Sequence, residues 1–148
     1  MTRSILSAMG VQPTAFVTHF IASCQDLTSL KGAPISVYGN FDAACNVITS
    51  LDGIPSFIDG HAYMFNNKIA SLHNIHKQIK HLNGYFNAKS NPITSHVLGL
   101  LLIDGLKGVW MDHLQVETIL NDHIQGDRDI FACQEELIEA GLEDFAKL

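Results

Sequence analysis

DGHAYMFNNKIASLHNIHKQIKHLN, residues 59–83, is the stretch on which the fold of this chain turns. Asp59 offers a carboxylate to the free amides of a first helical turn, and Gly84 can close a helix with left-handed backbone. Between them Ala62, Phe65, Ile69, Leu72, Ile75, Ile79 and Leu82 recur every three or four positions, the spacing that puts apolar side chains on one helical face. The periodicity predicts one long helix with Asn66, His73, Lys77, Lys80 and His81 on its opposite, basic side. Ile58-Asp59-Gly60-His61, flanked by Ser56-Phe57 and Ala62-Tyr63, also fits an Asp-Gly hairpin. In that case residues 56–65 form the hairpin, the helix begins near Asn66, and residues 35–38 supply a third strand. The helix is the preferred alternative.

Outward from this stretch, Phe16, Val17, Phe20, Ile21 and Cys24 fall at helical spacing in residues 14–24, with Pro13 suited to the first turn. Residues 27–34 hold Ser, Gly and Pro and form a loop, and residues 35–38 (ISVY) alternate as a strand or an extended loop. Asn40 or Asp42 caps a short helix carrying Ala44, Cys45, Ile48 and Leu51, closed by Asp52-Gly53. Asn91 caps a helix from Ile93 to about residue 111, with Pro92 in its first turn. It is apolar all round near residues 97–103 but holds only about ten uncharged residues before Asp104, against the ~20 a bilayer needs. Residues 112–125 repeat the helical pattern with Val116, Ile119, Leu120 and Ile124. Asp127 and Asp129 cap a last helix that buries Ile130, Phe131, Leu137 and Ile138 and closes near Gly141. The chain reads as having no internal repeat and no low-complexity segment. The expectation is a single globular domain over residues 1–148, mostly α, a compact bundle of five or six helices with room for a small two- or three-stranded β element near residues 35–65.

With 148 residues, 47% of them hydrophobic and 16% charged, the chain can fill one core and is not disordered in composition. Cys24, Cys45 and Cys133 are scattered without CxxC spacing, which favours reduced and mostly buried thiols in a reducing compartment. The N-terminus carries neither a secretory signal nor an Arg-rich transit pattern, so a cytoplasmic location is expected. Charge is segregated. Residues 60–103 contain four lysines and no acid, whereas eleven acids face three bases in residues 104–148. The overall charge of −6 disfavours nucleic acid as a general partner.

The eight histidines are the strongest compositional hint of chemistry. His113 and Glu117 lie four apart on an expected helix with His123 following, a weak metal-ligand pattern. A di-iron bundle lacks its Glu-x-x-His pair, and no residue arrangement selects a haem ligand. No nucleophile motif, phosphate loop or HExxH is present, so no catalytic residue is named and no cofactor is expected. The expected function is non-enzymatic: a helical protein-binding module, such as an adaptor, chaperone-like subunit or inhibitor. Its binding face is His73, Lys77, Lys80 and His81, and its acidic face Glu135, Glu136, Glu139, Glu143 and Asp144. The partner is a protein, with a homodimer the simplest case and no membrane involved. A metal- or haem-dependent protein built on the histidine-rich helices is the alternative.

Overall fold

The computed structural model describes residues 16–148. Pro13, Thr14 and Ala15, where the first helix was expected to begin, lie outside them. In place of a helical bundle the chain winds as a parallel β-solenoid closed by two C-terminal helices. The strands are Phe16–Val17 (β1), Phe20–Ile21 (β2), Ser36–Val37 (β3), Phe41–Asp42 (β4), Phe57–Ile58 (β5), Ala62–Tyr63 (β6), His81–Leu82 (β7), Tyr85–Asn87 (β8) and Gly108–Trp110 (β9). They form a four-stranded sheet, β1-β3-β5-β7, and a five-stranded sheet, β2-β4-β6-β8-β9, and all pairings among the described residues are parallel.

The register exposes a repeat. Phe20, Phe41, Ala62, Phe86 and Val109 stack in one column, so successive coils are offset by 21, 21, 24 and 23 residues. Two columns fill the space behind the five-stranded sheet, and their volumes complement one another. Phe20, Phe41 and Phe86 stand beside Ala22, Ala43 and Ala88, whereas Ala62 stands beside Met64 and Val109 beside Met111, all of them buried. Further inward columns are Leu27, Ile48, Ile69 and Ile93, then Leu30, Leu51 and Leu72, then Val37, Ile58 and Leu82.

Asparagine stitches each coil to the one before it. Asn46 Oδ1 accepts from Gln25 N and Leu27 N, each at 3.0 Å, and its Nδ2 donates to Ala22 O and Ala43 O. Asn67 and Asn91 repeat the arrangement, accepting from Ile48 N and Ile69 N and donating to Ala43 O and Met64 O of the preceding coil. A buried amide that meets both donor and acceptor demand is stabilising only because every group is paired. Four residues after Gln25, Asn46 and Asn67 the chain enters a turn in which Ser29, Ser50 and Ser71 accept from Lys31 N, Asp52 N and His73 N. The turn's third residue is left-handed, Gly32 and Gly53 at φ 94° and 92° and Asn74 at 58°, residue types that tolerate that region. Between the two sheets sits a glycine corner, where a Cβ on Gly60 would lie 2.6 Å from Gly39 O and 2.5 Å from Asn40 Oδ1.

The expected long helix is thereby overturned. Ala62, Ile69, Leu72, Ile75, Ile79 and Leu82 do point inward, but around the bends of a coil, and Met64 rather than Phe65 is the buried neighbour. Only Ile75–Gln78 (α1) is helical there, and Gln78 Nε2 donates to Asp52 Oδ1 of the previous coil. The hairpin alternative also fails, because Ile58 and Ala62 belong to different sheets and pair with coils on either side. Residues 16–24 and 41–51 are strand and turn, and the expected helix from Ile93 is a short 3-10 segment, Leu98–Leu102, followed by β9. The two C-terminal helices do form, as Leu114–Ile124 (α2) and Ile130–Glu139 (α3), the latter capped by Asp129, whose Oδ1 accepts from Phe131 N and Ala132 N. On α3, Cys133 and Leu137 face the core, while Phe131, at 78% exposure, and Ile138 do not.

α2 covers the open edge of the five-stranded sheet. Asn121 Oδ1 accepts from Val109 N at 2.8 Å while its Nδ2 donates to Val109 O, and Glu117 Oε2 accepts from Met111 N. An uncovered strand edge is a template for aggregation, and here side chains satisfy it.

Candidate functional site

The alternation that sends Phe41 and Ala43 inward sends their neighbours out. On the five-stranded sheet, Ile21, Asp42, Tyr63, Asn87 and Trp110 are in register across all five strands. Beside them runs His19, Asn40, His61 and Tyr85, held by a ladder of its own. Asn40 N donates to His19 Nδ1 at 3.0 Å, His61 N to Asn40 Oδ1 at 2.9 Å and Tyr85 N to His61 Nδ1 at 3.0 Å. Because Nδ1 of His19 and His61 accepts in these bonds, Nε2 carries each neutral ring's hydrogen. The glycine corner makes the ladder possible, since a Cβ on Gly84 would lie 2.6 Å from His61 Nδ1.

The rings then form a continuous zigzag. Phe65 lies 6.4 Å from Tyr63, Tyr63 5.8 Å from His61, His61 5.7 Å from Tyr85 and Tyr85 5.7 Å from Trp110, between ring centroids. Gly108 leaves room for this, because a Cβ there would meet the Tyr85 ring at 2.9 Å. Across the corner, on the four-stranded sheet, Tyr38 packs on Phe57 at 5.4 Å and Phe57 stacks on His81 at 4.8 Å. At the two ends of the in-register row, Trp110 is 44% and Ile21 64% exposed. Carboxylates interleave with the rings: Asp42 next to Tyr63, and Asp59 and Asp104 on either side of His81, whose Nδ1 is 3.1 Å from Asp104 Oδ2 and Nε2 4.0 Å from Asp59 Oδ1.

The residues expected to form a basic helix face are dispersed. His81 joins the aromatic face, Lys77 lies on α1 and Lys80 just beyond it, with Lys80 Nζ donating to His76 O. His73 sits in a turn, its Nδ1 2.9 Å from Leu148 O and its ring against His96. Glu135, Glu136 and Glu139 do share α3, with Glu143 and Asp144 in the segment after it. Glu136 pairs with His123 at 2.7 Å and Asp144 with Lys147 at 3.3 Å. The weak metal set is not assembled. His113 caps α2 by accepting from Val116 N, Glu117 covers the sheet edge and His123 pairs with Glu136, and among the described residues no three His, Cys, Asp or Glu side chains are grouped so that they could hold a metal ion. Tyr63, Tyr85, Trp110 and His61 were missed for want of the coil register, although the recurring G-N-F-D, G-H-A-Y and G-Y-F-N at residues 39–42, 60–63 and 84–87 carries it.

No family model, curated protein or solved structure matches the chain. Among the described residues no helix is long and apolar enough to cross a membrane.

Proposed function

We propose that this solenoid is a non-enzymatic, cytoplasmic protein-binding module that takes an extended, arginine-bearing segment of a partner across its aromatic face. The observation that carries this reading is the half-exposed ring zigzag from Phe65 to the exposed Trp110, with Asp42 beside Tyr63 and Asp59 and Asp104 flanking His81 across the corner. Aromatic side chains supply large contact area at low entropy cost and dominate interface hot spots. A guanidinium can stack on such rings while pairing with a carboxylate. From Ile21 to Trp110 the sheet spans four strand spacings, about 19 Å, a length covered by about six residues of extended chain.

The test is selection of hexapeptides from a displayed library, followed by calorimetry on the wild type and on Tyr63→Ser and Trp110→Ser variants. Arg-containing winners that also shift the emission of Trp110, the single tryptophan, and lose at least tenfold in affinity in both variants support the reading. Winners indifferent to both substitutions overturn it.

Self-association is a second reading, favoured by charge. Lys77 and Lys80 are exposed and in no ion pair among the described residues, while Glu135, Glu139 and Glu143 are exposed on a different part of the molecule. Complementary patches of this kind steer a two-fold contact that salt weakens.

A further inference from the structure

Cys24 and Cys45 occupy the same position in consecutive coils, both left-handed, at φ 56° and 57°. Cys24 N donates to Ala44 O at 3.1 Å and Cys45 N to Phe65 O at 2.9 Å, which sets the two residues side by side in the ladder. Strands so paired are about 4.8 Å apart, within the ~4.4–6.8 Å between Cα atoms that a disulfide spans. Cys24 is exposed and Cys45 partly so. The neighbouring Asn46 amide, bonded to Gln25 N and Leu27 N, holds the register. Cys133 lies apart from them: it is buried in α3, and burial, then Glu136, pushes its thiol up to about 12.

We propose that Cys24 and Cys45 form an oxidation site at which a hydroperoxide or a small-molecule disulfide closes an intramolecular bond between the first two described coils. With a hydroperoxide, one thiolate sulfur attacks the O–O bond and becomes a sulfenic acid as the distal oxygen leaves and is protonated. The second thiolate then displaces the hydroxyl as water, so two thiols give one disulfide and the peroxide takes up both electrons. With a disulfide oxidant, the first thiolate forms a mixed disulfide and the second expels the remaining thiol. The Cys45 hydrogen bond, then burial and the charges of Cys45 and Asp42, raise the Cys24 thiol, so oxidation accelerates toward alkaline pH.

The test exposes the folded chain separately to hydrogen peroxide and to oxidised glutathione. The expected product loses two of three thiols and two hydrogens in mass, and trypsin releases fragments 4–31 and 32–68 joined through Cys24 and Cys45. Dithiothreitol reverses the change. Tm rises by about 5 °C or more in the oxidised wild type and is unmoved by oxidant in Cys24→Ser. Glutathione adducts on separate cysteines, disulfide-linked dimers or an unchanged thiol count overturn the proposal. Should Cys24→Ser fail to fold, one equivalent of phenylarsine oxide, which bridges neighbouring thiols, decides on the wild type. Protection of Cys24 and Cys45 together from alkylation supports the site, and protection of neither refutes it.

Discussion

Removing the Asn67 amide would strand Ile48 N inside the solenoid, while the carbonyls of Ala43 and Met64 each lose one donor and keep another, from Asn46 Nδ2 and Asn91 Nδ2. Each unpaired buried group costs about 1–3 kcal/mol. Asn67→Ala should therefore lower unfolding free energy by about 1–3 kcal/mol in urea titration, and Asn67→Asp, whose carboxylate would face the Ala43 and Met64 carbonyls with no hydrogen to donate, should not restore it. Gly60→Ala tests the corner in the same assay. Its Cβ has backbone at 2.6 Å, so the columns must part, at a cost of about 1–3 kcal/mol. His76 tests burial against charge. Its Nδ1 is buried without a partner, and the ring fits only because residue 99 is glycine, where a Cβ would lie 2.7 Å from Nδ1. Burial, then Lys77, Lys80 and His73, lower its pKa. The unfolded chain thus takes up the proton first. Stability contributed by neutral His76 is whole above the unfolded value of about 6.5 and lost as pH falls from there toward the lowered folded value. In His76→Gln this acid loss should shrink to what remains from His96, also lowered by burial first. A thermal melt series across mildly acidic pH checks it, and an unchanged profile would clear His76 of the role.

At the scale of elements, the swap of large and small residues between adjacent columns makes a reciprocal prediction. Met64→Ala leaves a cavity, costing about 2–5 kcal/mol, and Ala62→Phe alone overfills its column. The double variant restores the Phe-x-Ala pattern of Phe41 and Ala43, and should recover more than half of the loss, a coupling read from a double-mutant cycle. α2 matters to the edge of the sheet more than to any metal. Asn121→Ala should expose the Val109 backbone and raise aggregation measured by light scattering on warming, while leaving the α2 signal in circular dichroism. The helices α2 and α3 were legible because a helix satisfies its hydrogen bonds within about four residues, so local spacing and the Asp129 cap suffice. The strands were not, because every strand of two or three residues takes its partner about a coil away.

For the molecule as a whole, segregated charge predicts a salt-sensitive contact. Sedimentation at low and high salt should show dimer at low salt only, lost in Lys77→Glu, Lys80→Glu. A monomer throughout would end that reading and leave the aromatic face intact as a proposal.

The amino-acid order by itself determined that charge is divided along the chain, where the last two helices form, and most of the residues that fill the interior, though not that Phe131 and Ile138 lie outside it. It also held, unread, the spacing of Asn46, Asn67 and Asn91 and of the Gly corners that announces a coil. Apolar residues at intervals of two, three and four satisfy a helical wheel and a solenoid bend alike, so Ala62 to Leu82 is ambiguous until its hydrogen-bond partners are known. Only the tertiary structure decided that those partners lie in neighbouring coils. That stacking alone gathers His61, Tyr63, Tyr85 and Trp110 onto one face and sets Cys24 beside Cys45, because residues some twenty positions apart become lateral neighbours when backbone groups pair between coils.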